Sequence, residues 1–453
     1  MEVKIVSREC VKPSSPTPDH LRIYKLSLLD QFMMAVYTFR ILFYPMTPDG
    51  DLTDIEVISR RSQSLKQSLS KTLTRFYPLA GKIRDNLSID CDDEGAYYVQ
   101  ARVNCSLSEY LKQPDISLMS KFLPGDFSWD DTGEGIHVAM VQETIFSCGG
   151  FVLAVYVSHK IVDGTALVAF LKSWSAMARE SYDETVYPSF DAPSFFIQNK
   201  SYPKDSGLSA FNSSFIRKGT PGITRFVFDA STIANLKARS KSSIVQTPSR
   251  VEAVSAFLTK CVLSVFKARV GIDRPTAVGH NVNMRRRATP QFPEFTIGNF
   301  PWATIFTTKE TGMPDLVIKL REAISRIDGD FVRKLQGNEG WLNLNQIIKD
   351  KKSELSGSEF SDGFNHLEFS SWCNFGLYDL DFGYGKPIWA TYAGPDKSKA
   401  SVYNLIVLID TRTDRGIEAW VCLDEEEIAL LEKDEELLSY ASVNPSPLNT
   451  VLA

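Results

Sequence analysis

A mixed α/β chain of two domains is what this sequence predicts, and three observations carry that prediction. At 453 residues the chain exceeds what one ordinary hydrophobic core serves, so two domains of about 200 residues each are expected. Strand-like and helix-like periodicities are mixed in both halves, which means α/β or α+β. Between the halves the texture changes: prolines at 188, 193, 203 and 221 stand among many Ser, Lys and Asn residues. A loop of that length is unusual inside one compact domain and reads as a surface crossover. The expected organisation is an N-terminal domain over 1–186, a crossover over 187–221 and a C-terminal domain over 222–453.

Each element has a local reason. Lys12-Pro13-Ser14-Ser15-Pro16-Thr17-Pro18 should be extended, because proline pushes its predecessor out of the helical region. Leu65, Leu69, Leu73 and Phe76 form one stripe of a helix over 55–76, which stops at Tyr77-Pro78. Residues 96–103 and 151–157 read as strands, the second short, β-branched, aromatic and preceded by Gly149-Gly150. Past Gly164, residues Ala166, Leu167, Phe170, Leu171, Trp174, Met177 and Ala178 share one helical face. After the crossover come a strand over 224–228, a helix from Ala230 and another over 251–269. Ser249-Arg250-Val251-Glu252 has the order of a capping box and sets the start of that helix. Residues 402–410 and 416–423 look like paired strands. Residues 424–440 read as one acidic helix, with Ile428, Leu431, Leu437 and Leu438 toward the core and its Glu run in solvent.

Composition excludes several classes. A hydrophobic fraction of 43% and a charged fraction of 23% are those of a globular protein. A net charge of −5 gives no general attraction to nucleic acid or to an anionic membrane. No apolar run approaches a membrane span, and the first ten residues lack the apolar stretch of a secretory leader. The seven cysteines stand singly at 10, 91, 105, 148, 261, 373 and 422, with no CxxC pair and no metal spacing. Free thiols in a cytosolic, monomeric protein without a bound metal are the expectation.

The segment most suggestive of chemistry is His159-Lys160-Ile161-Val162-Asp163-Gly164, between the strand over 151–157 and the helix that follows. An imidazole there stands at a strand mouth, beside a tight turn and a helix N-terminus, held still yet accessible. The spacing alone is a weak signal. A strand-end His with Asp163 capping the helix explains it equally well. A second segment, Asp381-Phe382-Gly383-Tyr384-Gly385-Lys386-Pro387, can take positive φ and tight turns. It meets neither GxxxxGK[ST] nor GxGxxG, so a phosphate loop is excluded.

Taken together, HxxxD followed over two hundred residues later by DFGYG resembles the signature of the plant BAHD acyl-CoA-dependent acyltransferases. The likeness extends through Leu26-Ser27-Leu28-Leu29-Asp30-Gln31, Phe76-Tyr77-Pro78-Leu79-Ala80-Gly81-Lys82, Asn283-Met284-Arg285, Gly298-Asn299 and Gly416-Ile417-Glu418-Ala419-Trp420. It covers nearly the whole chain and is closest to the branch of vinorine synthase and the salutaridinol and deacetylvindoline O-acetyltransferases. The resemblance implies two chloramphenicol-acetyltransferase-like domains, each a mixed sheet with flanking helices, with part of 370–390 packed on the N-terminal domain. It implies a reactive histidine in a channel between the domains, with acyl-CoA and acceptor arriving from opposite ends.

Direct acyl transfer needs a base for the hydroxyl proton and a stabiliser for the tetrahedral oxyanion. His159 is the candidate base, kept neutral by the helix N-terminus beyond it. His20, His137, His280 and His366 read as surface or packing residues. No GxSxG is present and no cysteine is paired with a histidine in a recognisable motif, which disfavours an acyl-enzyme. Asp163 could orient His159 as in a triad. The resemblance instead implies that Asp163 pairs with Arg285 and, with Gly164, holds the turn. Tyr384 stands where DFGWG has Trp; either its hydroxyl donates toward the oxyanion or channel, or the motif serves backbone shape through Asp381, Gly383 and Gly385. Lys237, Arg239, Lys241 and Arg250 around Ser249 form the candidate patch for the CoA phosphates, with Ser249, Arg250 and Lys241 as the expected contacts. Nothing obvious offers a carboxylate-binding Arg for malonyl-CoA, so acetyl-CoA is the expected co-substrate. The branch suggests a hydroxyl on a bulky terpenoid or alkaloid. Acylation of another alcohol or amine acceptor with a longer or aromatic acyl-CoA stays open, as does a non-catalytic small-molecule-binding member.

Overall fold

The N-terminal half builds its sheet around a strand that is buried along its whole length. In this computed structural model, which describes all residues except 35, 48–53, 126–134, 202–214, 357–362, 395–399, 414 and 449–453, that strand is β8 (Phe151–Ser158). All eight of its residues are buried, as expected of a continuous apolar run between neighbours on both sides. With β1 (Val3–Val11), β3 (Tyr37–Tyr44), β6 (Ala96–Val103), β7 (Ala139–Ile145) and β14 (Trp389–Thr391) it forms a six-stranded sheet in the order β1-β6-β7-β8-β3-β14. The edge strand β14 comes from the C-terminal half and pairs antiparallel with β3 through Trp389↔Phe43. Two helices, Asp54–Arg75 and Gly164–Ala178, pack on each other over this sheet. Leu65, Leu69, Leu73 and Trp174 at their contact are fully buried, each leucine contributing about 2 kcal/mol of apolar transfer.

The C-terminal half is a seven-stranded sheet in the order β12-β11-β13-β16-β17-β10-β18. Its strands are β10 (Pro221–Phe228), β11 (Thr276–Asn283), β12 (Pro301–Thr308), β13 (Asn365–Ser371), β16 (Leu405–Asp410), β17 (Ile417–Asp424) and β18 (Ser442–Val443). The trio β11, β13 and β16 runs parallel. The helix Arg250–Val270 covers one face; the Ser249–Glu252 capping box starts it and Gly271, at φ +72°, ends it. Two short sheets complete the chain: β2 (Ile23–Lys25) with β5 (Ser88–Asp90) and β4 (Lys82–Ile83), and β15 (Ser401–Tyr403) with β9 (Ile216–Lys218).

Three local expectations need correction. The acidic segment 424–440 is two helices, Glu425–Leu431 and Glu435–Tyr440, because Asp434 caps a new start. Leu438 consequently points outward at 43% exposure, and Glu427 is buried against Arg217 and Arg269 instead of lying in solvent. The strand expected over 402–410 splits at Asn404: β15 pairs with β9, and only β16 pairs with β17. The crossover over 187–221 is not purely superficial. It contains the helix Ala192–Phe195, the buried Phe196 and Phe215, and β9, while residues 202–214 lie outside the described part. Among the described residues no helix is long and apolar enough to cross a membrane.

Candidate active site

The two halves meet where β8 ends. Val162 bridges Gly298 and Ser189 bridges Thr296, so the turn carrying His159 is docked onto the loop that precedes β12. A cavity of about 350 Å³ opens there, lined by His159 and by residues of both halves. One wall is a face of the C-terminal sheet, because the period-2 alternation of strands sends every second residue inward: Asn281 and Asn283 from β11, Ala303 and Ile305 from β12, His366, Glu368 and Ser370 from β13. The opposite wall is largely apolar, with Phe32, Tyr37, Phe39 and Tyr392.

His159 is held through its backbone and through one ring nitrogen. Its backbone N–H donates to the Val36 carbonyl at 2.7 Å, and Nδ1 lies 2.9 Å from Oδ1 of Asn299. The Asn299 amide nitrogen donates to Asp30 Oδ1 at 2.9 Å and to the His159 carbonyl at 2.7 Å. With its NH2 group committed to two acceptors, Asn299 can present only its oxygen to the ring. Nδ1 must then carry the proton, which leaves Nε2 as the basic nitrogen. Burial pushes the His159 pKa below its usual value, Arg40 adds to the shift, and Asp163 opposes it. Desolvation, rather than the helix N-terminus expected from the sequence, is the leading cause. Asp30 is itself buried, anchored by Ser27 in the capping box of the helix Leu28–Phe32. Sequence reasoning saw Asp30 and Asn299 only as parts of matching segments, and their relation to His159 has no signal in spacing.

Asp163 faces away from the imidazole. Its two carboxylate oxygens accept from Arg285 at 2.6 and 3.1 Å, from the Ala166 N–H at 2.8 Å and from the Phe300 N–H at 3.0 Å. Arg285 is 1% exposed, donates also to the Thr296 and Gly298 carbonyls, and lies 4.2 Å over the Phe300 ring. Gly164 is small for a reason: a Cβ there would meet the Phe375 ring at 2.8 Å and Arg40 Nη2 at 3.3 Å.

The DFGYG segment is a turn wrapped on one carboxylate. Asp381 Oδ1 accepts from the N–H groups of Gly383 and Gly385 at 2.7 and 3.0 Å, and both glycines have positive φ, +91° and +85°. Phe382 is fully buried edge-on to Tyr44 and Trp174. Tyr384 packs on Phe151 at the start of β8, whereas His159 follows its end, about 25 Å away along the strand. It does not line the cavity, so the oxyanion or channel role considered for Tyr384 is not supported by its position.

The charged group that does stand there is Arg40 of β3, which the sequence reading passed over. It is 1% exposed and lines the cavity, with its guanidinium 3.5 Å from the centre of the Trp372 ring. Nε and Nη2 find no hydrogen-bond partner among the described residues, and burial lowers its pKa to about 9. Polar residues inside an apparent strand over 37–44 were the only available hint.

Trp372 separates the cavity from a second cleft of about 360 Å³, lined by Arg250, Asn374, Arg412 and Arg415. Of the expected CoA patch only Arg250 lies in it, paired with Asp410 at 3.0 Å. The Ser249 hydroxyl is used in the capping box, Lys241 is exposed outside the cleft, and Arg239 is engaged with Glu436 and Tyr440. Arg412 and Arg415 are the other arginines that line this cleft.

Residues 1–438 match the Transferase family. The chain belongs to the BAHD acyltransferases. This acyltransferase is 46% identical to epi-neemfruitin B 7-O-acetyltransferase of Melia azedarach, with 99% of this chain and 100% of the relative covered. It is also 46% identical to limonoid 7-O-acetyltransferase of Citrus sinensis, at the same coverage. Among solved structures it is similar to vinorine synthase, with 32% identity, a TM-score of 0.78, and 97% of this chain and 99% of that one covered. The acyltransferase thus has the two-domain fold expected of it.

Proposed function

We propose that this acyltransferase moves the acetyl group of acetyl-CoA directly onto a hydroxyl of a polycyclic terpenoid alcohol of limonoid type, with His159 as general base. The observation that carries the reading is the fixed tautomer of His159 inside a largely apolar cavity, the acceptor chamber, that adjoins a basic cleft across Trp372. Two limonoid 7-O-acetyltransferases at 46% identity support the acceptor class. Nε2 takes the acceptor proton as its oxygen attacks the thioester carbonyl. The tetrahedral oxyanion then collapses, the C–S bond breaks, and the departing thiolate takes the proton back from His159. Arg40 supplies positive charge beside the developing oxyanion in a water-poor site, where such charge acts strongly. Arg250, Arg412 and Arg415 hold the CoA phosphates in the cleft behind Trp372. Asp163, Arg285 and Gly164 hold the turn, and Asp381, Gly383 and Gly385 shape a loop remote from the reaction. The seven unpaired cysteines fit work in a reducing cytosol, and a monomer suffices, since one chain supplies both walls of the cavity.

The test is incubation of the purified protein with acetyl-CoA and limonoid alcohols bearing a free 7-hydroxyl, read by mass spectrometry. Acetylated product is expected from the wild type and not from His159→Ala; turnover surviving in that variant would overturn the mechanism. Arg40 favours one second reading, a carboxylate-bearing donor such as malonyl-CoA. Competition of the two thioesters decides it: preferential malonyl transfer, lost in Arg40→Gln, establishes the second donor.

A further inference from the structure

The apolar chamber has a polar far end that the acetyl transfer does not use. Glu368 of β13 is 5% exposed, yet it lies in the cavity wall. Its Oε1 accepts from the Asn281 amide at 3.2 Å, and its Oε2 lies 3.4 Å from Nε2 of His366. His366 is 5% exposed, and neither of its ring nitrogens completes a hydrogen bond with the described residues. The imidazole is fixed nonetheless, stacked 4.1 Å from the Phe215 ring. The neighbouring strand makes room for this cluster: a Cβ on Gly279 of β11 would fall 1.8 Å from Glu368 Oε2. A glycine inside a central strand otherwise weakens it, so a carboxyl lodged over Gly279 is a built feature. A buried imidazole beside a buried carboxyl, facing a cavity with both ring nitrogens unused, is costly unless something in that cavity engages it.

The order of groups along the strands says what that something is. Trp372, at the basic cleft, directly follows the C-terminal end of β13, whereas His366 stands near its N-terminal end. Asn283, at the C-terminal end of the parallel strand β11, touches Thr165 beside the His159 turn at 3.2 Å. Gly279, the register partner of Glu368, lies four residues back, about 13 Å along the strand. The sequence in space is basic cleft, Trp372, His159, apolar chamber, then Glu368 and His366. A thioester arriving past Trp372 ends at His159, so the far end belongs to the acceptor.

We infer that Glu368, His366 and Asn281 form an acceptor-recognition subsite, which binds a second oxygen substituent at the opposite end of the polycyclic skeleton from the hydroxyl being acylated. This rests on the functional reading above. The acceptor class narrows to skeletons oxygenated at both ends, and these residues set specificity without touching the reacting atoms. Burial raises the Glu368 pKa and the neighbouring His366 opposes the shift; the carboxyl oxygens and the His366 ring nitrogens are the groups that meet the substituent.

The experiment compares a limonoid alcohol oxygenated at both ends with its analogue lacking the remote oxygen, against wild type, Glu368→Gln and Glu368→Leu. Calorimetry of acceptor binding without acetyl-CoA and steady-state kinetics are both measured, with melting temperatures as the folding control. Wild type should bind the oxygenated alcohol about tenfold tighter than the analogue, the scale of one hydrogen bond to a buried polar group. Glu368→Leu should remove that discrimination through acceptor KM, leaving acetyl-CoA KM and kcat within about threefold; the isosteric Glu368→Gln should keep part of it. If the leucine variant does not fold, the glutamine variant and the wild-type pair still decide the matter. Equal wild-type binding of the two alcohols overturns the subsite, as does discrimination unchanged in a folded Glu368 variant. Binding discrimination without any acetyl transfer would instead overturn the functional reading and leave the subsite standing.

Discussion

The carboxylate of Asp163 is spent on Arg285, with bonds of 2.6 and 3.1 Å, and makes no hydrogen bond to His159, four residues before it. The two motif residues therefore do not form a hydrogen-bonded dyad. Its aspartate is a buried ion pair that clamps the turn to the loop before β12, and Asn299 takes the orienting position that Asp163 would have in a triad.

Breaking the ion pair should act on stability. Asp163→Ala or Arg285→Ala strands one buried charge, at a cost of about 3–5 kcal/mol. Chemical denaturation should show the loss, with activity falling alongside folded protein. A normally stable Asp163→Ala with full activity would remove the assignment.

Asn299 should matter for rate. Asn299→Ala frees the imidazole to adopt the other tautomer, so kcat should fall about 10- to 100-fold with both KM values little changed. An unaltered kcat in a folded variant would show that the Nδ1 contact does not select the tautomer.

The pH dependence has a defined sign. The base must be neutral, and burial with Arg40 sets the His159 pKa below its ordinary value. Activity should rise on the acid side, below about 6.5, and be level through neutrality. Arg40→Gln removes one lowering influence, so its acid limb should move toward higher pH while kcat falls. The same shift bears on stability: the unfolded state binds this proton more readily, so the contribution is full above the unfolded pKa and is lost as pH falls toward the folded one. An acid limb unmoved in Arg40→Gln would contradict the coupling.

Tyr384→Phe should leave kcat within about threefold, because the hydroxyl is remote from His159. Gly383→Ala should cost about 1–2 kcal/mol through its φ of +91°. A large kcat loss in the phenylalanine variant, with melting temperature unchanged, would restore a chemical role.

At the basic cleft, Arg415→Ala should raise the KM for acetyl-CoA several-fold while leaving acceptor KM unchanged; the opposite split, measured by steady-state kinetics, would move the CoA site elsewhere.

Local pattern made much of this protein legible. The buried run of β8, the amphipathic stripe of Asp54–Arg75, the Ser249–Glu252 capping box and the position of His159 at a strand mouth follow from periodicity and turn chemistry within a few residues. Errors arose where a cap or a polar residue interrupted a continuous-looking element, as at Asp434 and Asn404. The fold class and the acyltransferase family were readable from the order of motifs along the chain.

The sequence by itself thus determined most of the elements and the fold, and singled out His159 as the candidate base. Tertiary structure alone decided what each motif residue does. Arg285 reaches Asp163 across 122 positions, Asn299 reaches His159 across 140, and Tyr384 lands at the opposite end of β8 from His159. The physical reason is that a hydrogen bond or ion pair depends on distance and direction between side chains. Those are set by the register of strands and the docking of two sheets, and spacing along the chain does not contain them. Glu368 and His366 make the same point, since only the pairing of β13 with β11 lays their polar groups over Gly279 and into the cavity.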